Sequence, residues 1–414
     1  MGTIPVYNVT DYGAIGDGNT SHAAVNTAAF NSAISACSSA PGIVYVPAAV
    51  GFVVNNGSIN IPYSNVVLQG AGGMGSSGGG SSTSNIIALG SGNTINITGM
   101  GCVVRDLAFQ PSGAQNASYL NISQNGSSTQ GQIRVDNVHM YSPYIGISLS
   151  QPSATPGEYW IERLLIEGQT VVGGISANVG SAAVNLRHVV MAQAPGATQP
   201  QYGIQVVNAG ELIIDGGCDI ISMGNCLAIQ PGTGQAVLAV FVSDSLFDSG
   251  NGAGCVVIAP TGNGYVLTVR FSNVWASTGS NTTSTNGFSF FGSGSMSPYP
   301  SIQDVSLVNC VGKGFTNHDG LYASNVVGLS VTSSTFGGNY VGINIAGGMS
   351  NFNLIGNKCG NYTPQGGNAY YGIIINPGAS DYYTVIGNVS QGNGTGSIFN
   401  GGTGSHQAVV YNVP

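Results

Sequence analysis

Apolar and polar positions alternate with a period of two along most of this chain, in short bursts that recur. A Gly or Cys followed by alternating apolar residues appears as GISL at 146, GISA at 174, GIQV at 203, CLAI at 226, CVVI at 255, GFSF at 287, GLYA at 320, GINI at 342 and GIII at 372. Each is preceded by a second alternating stretch, such as IRVDNV, VNLRHV, LIIDGG, VFVSDS, VRFSNV, VSLVNC, FNLIGN and YTVIGN. Copies lie roughly 22 to 33 residues apart, the length of one solenoid coil. Stacking such coils about 4.8 Å apart buries the inner faces in one continuous core and pairs each strand with the coils on either side. The pattern therefore predicts an all-β parallel β-helix with two or three short strands per coil. Asn recurs where strand meets turn, at Asn137, Asn273, Asn309, Asn357 and Asn388. Stacked side chains there are expected to hydrogen-bond along the solenoid as one ladder.

A solenoid needs a cap, because its terminal coil otherwise exposes both core and strand edges. The run HAAVNTAAFNSAISAC supplies a helix, with Ser21 as its N-cap and Val25, Ala28, Ala29, Ala33, Ile34 and Cys37 on the inward face. PGIVYVPAAVGFVV then reads as the first strands and IPYSNVVLQGAGG as the close of the first coil, while the Gly/Ser stretch 70–84 reads as a flexible loop. The expected organisation is a single β-helix domain over 1–414: lead-in strand and capping helix in 1–45, coils in 46–404, and a closing strand in 405–414.

Composition narrows the function classes. The chain has 66 glycines and only 5% charged residues, against about 25% in ordinary globular proteins. Ser, Thr, Asn, Gln and Gly must cover the surface, which favours strands and turns over helices. A net charge of −8 with only seven Lys and Arg argues against nucleic acid as a partner, since phosphate neutralisation takes clustered cations. The same scarcity argues against a polyanion such as pectate. No apolar run approaches the roughly 18 residues of a membrane helix, so membrane insertion is not expected. The start shows neither the charged nor the apolar region of a signal peptide. Seven cysteines show no zinc spacing and are expected to be buried, unpaired thiols. No metal site and no cofactor are expected.

The beginning of the chain carries a resemblance. VTDYGAIGDGNT, the helix, GIVYVPAAVGFVV and SNVVLQGAGG together resemble the N-terminal signature of the pectate-lyase-like, right-handed parallel β-helix family, which includes polygalacturonase-related enzymes and many bacteriophage tailspike depolymerases. The match covers about residues 6–73 and is only architectural beyond. Where the family commonly has Asp-Asp-Thr before the helix, this chain has TSHAA, which predicts a different helix-end contact. On this likeness Asp11 and Asp17 are lead-in turn and cap residues. The resemblance implies an extracellular or virion-associated protein that acts on a polysaccharide or oligosaccharide, with a homotrimer as a compatible assembly.

The resemblance does not supply the reaction. The Asn-Thr-Asp, Asp-Asp, Gly-His-Gly and Arg-Ile-Lys motifs of polygalacturonases are absent. A lyase would need carboxylates beside a basic residue, and Arg270 is the nearest arginine to the densest carboxylates. Glycoside hydrolysis needs a carboxylate pair, about 5 Å apart for retention and roughly 6.5 to 9.5 Å for inversion. Asp215, Asp219, Asp244 and Asp248 lie in two successive coils, LIIDGGCDII and VFVSDSLFDSG. Aligning those coils brings Asp219 to within one position of Asp248, close to 5 Å at one coil of separation. These four are the candidate catalytic residues, although Asp244 also fits the Asn ladder and Asp215 an ordinary turn before Gly-Gly. Glu167, near Glu158, Trp160 and Glu162 in EYWIERLLIEGQ, is a further candidate. His318 and Asp319 in FTNHDG are candidates in an enlarged turn that otherwise reads as solvated. Trp275 is the best flat platform for a sugar ring.

Three readings are open. The first is a tailspike-like glycoside hydrolase acting on a bacterial surface or capsular polysaccharide, with a polysaccharide lyase on the same scaffold as its variant. The second is a glycan-binding adhesin without turnover. The third is a purely structural spike.

Overall fold

The computed structural model describes residues 4–72, 83–124, 132–151, 157–194, 198–248, 250, 252–278, 286–293, 300–361, 366–378 and 380–414. The expected loop at 70–84 lies mostly outside them. The chain divides into two compact units, Met1–Pro200 and Gln201–Pro414, and each is a parallel β-solenoid.

In the first unit the lead-in strand Val6–Asn8 pairs in parallel with Ile43–Val46. Asn8 accepts the N–H of Thr10 and so caps the 3-10 turn Val9–Tyr12, which contains Asp11. Asp17 accepts the N–H of Asn19 at 3.0 Å and lies 3.2 Å from Nδ1 of His22. Asn19, not Ser21, is the cap: its Oδ1 accepts the Ser21 N–H that opens the 3-10 turn Thr20–His22, from which helix Ala23–Ala36 continues.

That helix buries Ala23, Asn26, Ala29, Phe30, Ala33 and Ile34, whereas Val25 and Ala28 face outward. The rotation from the expected face has a cause in Asn26. Its Oδ1 accepts the Ile15 N–H at 2.6 Å, and its Nδ2 donates to the carbonyls of Ile15 and Val53 at 3.0 Å each. One fully satisfied buried amide thus ties the lead-in, the helix and the first coil together, and burying it costs little because nothing is left unpaired. Phe30 packs edge-on against Phe52 at 6.0 Å beneath it.

Beyond the cap, one sheet stacks Ile43–Val46, Val67–Gly70, Val103–Ser112, Gln132–Tyr141, Glu158–Gly168 and Ala183–Gln193, all parallel and in register. A second stacks Ile59–Ile61, Ile95–Ile97, Ser118–Ser123, Ile145–Ser150 and Gly173–Asn178. The long strands bend at left-handed residues Asp106, Asn137, Arg163 and His188, a conformation costing L-residues about 1–2 kcal/mol. Side-chain contacts offset the cost: Asn137 Nδ2 donates to Asp106 Oδ1 at 2.7 Å, and Arg163 holds Asp136 through two bonds of 2.8 and 2.7 Å.

The second unit repeats the plan. Tyr202–Asp215, Ala236–Ser243, Val269–Ser272, Ile302–Val308, Val326–Thr332, Ser350–Ile355, Asp381–Ile386 and Gln407–Val410 form one sheet. Tyr202–Val206, Asn225–Ile229, Gly254–Ile258, Asn286–Phe291, Leu321–Ser324, Ile343–Ile345, Tyr371–Gly378 and Gly396–Gly402 form another. The Gly-or-Cys repeat marks the start of this second sheet. A Cβ on Gly342 would meet the Gly372 carbonyl oxygen at 2.5 Å, and one on Gly287 would meet that of Gly320 at 2.4 Å. Adjacent coils therefore approach too closely there for most side chains.

Of the five asparagines expected in one ladder, Asn137 bonds Asp106 in the first unit and the other four fall in two ladders of the second. Asp244, Asn273 and Asn309 are left-handed and exposed, with Asn309 Nδ2 donating to Asn273 Oδ1 at 2.6 Å and Asn273 Nδ2 to Asp244 Oδ1 at 3.0 Å. Asn357 and Asn388 are instead buried, because Gly356 and Gly387 take the left-handed turn position before them. They run with Ser334 and Asn412, each Asn Oδ1 accepting the backbone N–H one coil back. The seven cysteines are all free and buried, and desolvation pushes the thiols of Cys102 and Cys310 up to about 11. Among the described residues no helix is long and apolar enough to cross a membrane.

Candidate active site

Between the two sheets of the second unit, five successive coils carry a three-residue strand: Asp219–Ile221, Leu246–Asp248, Trp275–Ser277, Val311–Lys313 and Thr335–Gly337. The middle residues Ile220, Phe247, Ala276, Gly312 and Phe336 point inward and are buried. Period-two geometry then sends the flanking residues outward in two columns. The register places Asp219, Leu246, Trp275 and Val311 in one, and Ile221, Asp248, Ser277 and Lys313 in the other.

Asp219 and Asp248 thus share an outward face on adjacent coils but are offset by two positions, not one. Strand rise and spacing put their Cα atoms about 8 Å apart, instead of the expected 5 Å. The slip arises at the preceding turn. LIIDGGCD carries two left-handed glycines, Gly216 and Gly217, where VFVSDSLF carries only Asp244.

The two carboxylates have different surroundings. Asp219 is half-buried, and its Oδ1 is shielded from solvent with no hydrogen-bond partner. Desolvation, and secondarily the charge of Asp248, raise its pKa above the ordinary carboxylate value. Asp248 accepts a hydrogen bond from Ser277 Oγ at 2.9 Å. One coil further, Trp275 is half-buried with Lys313 Nζ 4.1 Å from its ring centroid, within cation–π range. Sequence reasoning missed Ser277 and Lys313, although they end WAS and VGK as Asp248 ends LFD.

The other candidates stand elsewhere. Asp215 ends its strand just before the turn at Gly216 and Gly217, and its carbonyl lies 3.3 Å from Cys218 Sγ. Asp244 heads the exposed ladder. Arg270 forms an ion pair with Asp304 at 2.6 Å. Glu167 belongs to the first unit, where its Oε1 lies 3.1 Å from Nε2 of buried His139, close enough for an ion pair but poorly directed for a hydrogen bond. His318 is half-buried, and its N–H donates to the Phe315 carbonyl at 2.9 Å.

Asp319 is buried, contrary to a solvated turn. Its N–H donates to Asn286 Oδ1 at 2.9 Å, and its Oδ2 accepts Nδ2 of Asn344 at 2.8 Å, which in turn accepts from Asn376 at 2.6 Å. Burial pushes its pKa up to about 6. Among the described residues no group of three or more His, Cys, Asp or Glu is placed to hold a metal ion.

No protein-family model and no curated protein matches the chain. Solved structures do match. Tailspike protein 3 of bacteriophage CBA120 aligns at 13% identity with a TM-score of 0.54, covering 99% of this chain and 62% of that one. The A-module of an Azotobacter vinelandii mannuronan C-5 epimerase aligns at 13% identity and a TM-score of 0.47, covering 98% of each chain. The catalytic unit of a GH87 α-1,3-glucanase from Streptomyces thermodiastaticus aligns at 14% identity and a TM-score of 0.43, covering all of this chain and 69% of that one. At such identities the likeness is one of architecture, and the parallel β-solenoid of this chain is the fold it has in common with the phage tailspike.

Proposed function

We propose that the chain is a tailspike-like glycoside hydrolase that cleaves a bacterial surface or capsular polysaccharide, with Asp219 as general acid and Asp248 as general base. The observation that carries this reading is the asymmetry between two outward carboxylates on adjacent coils. Asp219 is desolvated, unpaired and raised in pKa, while Asp248 is hydrogen-bonded by Ser277. Environments that push two neighbouring acids apart are how one site holds a donor and an acceptor of protons together.

In this mechanism the Asp219 carboxyl gives its proton to the glycosidic oxygen as the C–O bond breaks. Asp248 takes a proton from the water that attacks the anomeric carbon on the opposite face. Cα atoms about 8 Å apart, with both side chains on the outward face, suit the wider carboxyl spacing of an inverting pair better than the narrow one of a retaining pair. Trp275 offers an apolar surface for a ring, steadied by Lys313. A protein with this role works outside the cell or on a virion.

Reducing-end release from a panel of bacterial polysaccharides, with the anomeric form of the first product read by NMR, tests the reading. The expected result is an inverted anomer. Products with ultraviolet absorbance would replace hydrolysis by β-elimination, and binding without products would leave an adhesin.

We also propose that copies of the chain associate side by side as a homotrimer. Val308, Thr332, Ile355, Ile386 and Val410 are in register along one sheet. Val308, Ile355 and Val410 are each at least 40% exposed, so this is an apolar column suited to cover.

A further inference from the structure

The first unit contains a cleft of about 530 Å³ whose lining includes Asn65, Gly101, Gln132, Arg134, Glu158, Trp160 and Glu162. This size is within the roughly 300–1,000 Å³ of small-ligand sites. The sequence builds it from two adjacent strands. Gln132 and Arg134 lie directly beside Glu158 and Trp160 in the register, all on the outward face. Room at one end comes from Gly101, where a Cβ would stand 2.3 Å from Asn65 Oδ1.

The polar groups are already oriented around the indole. Glu158 Oε2 accepts from Trp160 Nε1 at 3.1 Å and from Gln132 Nε2 at 3.2 Å. Glu162 Oε2 accepts from Arg134 Nη2 at 2.6 Å. Trp160 nevertheless remains 38% exposed. In a chain with only 5% charged residues, such a concentration around a fixed indole is unusual for a surface that only needs solvating.

We infer that this cleft is a second carbohydrate site, one that binds a short stretch of neutral hexose residues without cleaving it. The indole supplies a flat apolar surface for the C–H face of a pyranose ring. Arg134 and Gln132 donate to hydroxyls, and the two glutamates accept from them. The charges of Glu158, Glu162 and Arg134 sum to one negative, which disfavours a uronic acid. Glu158 and Glu162 are four residues apart on one strand, with Cα atoms about 13 Å apart, and their carboxylates are already engaged by Trp160 and Gln132 and by Arg134, so the site is assigned binding and not cleavage. This site does not depend on the proposed role of Asp219 and Asp248.

A test that separates the two sites uses the full chain carrying Asp219→Asn, so that no turnover intrudes. It is screened on an array of neutral and uronate-containing oligosaccharides, and the tightest neutral binder is titrated by tryptophan emission. Trp160 and Trp275 are the only tryptophans, so adding Trp275→Phe makes Trp160 the sole reporter. The expected result is saturable binding with a shifted emission, weakened by at least about tenfold in Trp160→Ala and measurably in Gln132→Ala, both followed by calorimetry. Circular dichroism checks that both variants stay folded. Failure of every neutral glycan to bind, preference for uronates, or undiminished affinity in folded Trp160→Ala would overturn the inference. Loss of hydrolysis in Asp219→Asn with cleft binding intact would leave both readings standing.

Discussion

Single residues in this chain act mainly through what surrounds them, and Asp219 and Asp319 show two uses of burial. If Asp219 delivers a proton and Asp248 activates water, Asp219→Asn and Asp248→Asn should each lower the turnover rate by roughly 10²–10⁴-fold, measured by reducing-end release. The rate of the unaltered enzyme should fall as pH rises through the raised pKa of Asp219. Asp319 has a different signature. Its carboxyl titrates near pH 6 when folded, against 3.8 for the ordinary group, so the folded state holds the proton more tightly. Its stabilising contribution is complete below about pH 4 and is lost as pH rises to about 6. The loss amounts to up to about 3 kcal/mol for a shift of some two units. Asp319→Asn keeps an acceptor for Asn344 and removes the titration, so thermal melting between pH 4 and 7 should show a fall in the parent that the variant lacks.

Elements are set by alternation and by ladders, and the two differ in how plainly they show in the sequence. The period-two bursts announced strands that the structure contains, because buried residues such as Ile204, Leu227, Val256 and Phe288 recur at every coil. Turn length was hidden. Two glycines before Asp219 occupy the turn that Asp244 occupies alone, and this moved the carboxylate register by one residue. Likewise the capping helix is so rich in alanine that its composition marks no face, and the choice fell to the hydrogen bonds of Asn26. Asn357 and Asn388 looked like Asn273 and Asn309 until Gly356 and Gly387 took the turn. Asn388 accepts from the Asn357 N–H at 2.9 Å and donates to the Leu354 carbonyl at 2.9 Å. Asn388→Leu would strand both partners in the core, and equilibrium unfolding should show a loss of about 2–4 kcal/mol. Asn309→Ser, on the exposed ladder, should cost much less.

At the scale of the whole molecule, the near absence of charge leaves hydrogen bonds and apolar contact to decide assembly. If the column of Val308, Ile355 and Val410 is covered by other copies, light scattering should give three times the chain mass of 41.7 kDa. Val308→Glu combined with Ile355→Glu should return the mass to one chain without unfolding it, because these side chains point away from the core. Assembly was scarcely legible from sequence: exposed β-branched residues on a strand look the same whether water or a partner covers them. The proposed chemistry was legible only as a cluster of aspartates, since the desolvation of Asp219 and the Ser277 bond to Asp248 exist only after the coils are stacked.

The turn before the three-residue strands is held to one or two left-handed residues, at Gly216 and Gly217, Asp244, Asn273, Asn309 and Ser333, whereas the chain between those strands and the next sheet differs in length, three residues at 222–224 and seven at 314–320. Length variation is thus kept out of that turn and falls on the margin to either side of the second sheet, where Asn325 alone joins Ser324 to Val326 but six residues join Ile229 to Ala236. A lineage could lengthen or shorten that margin to suit a new glycan while the spacing of the acids behind it stayed untouched, so diversification and reactivity are inherited on separate parts of each coil.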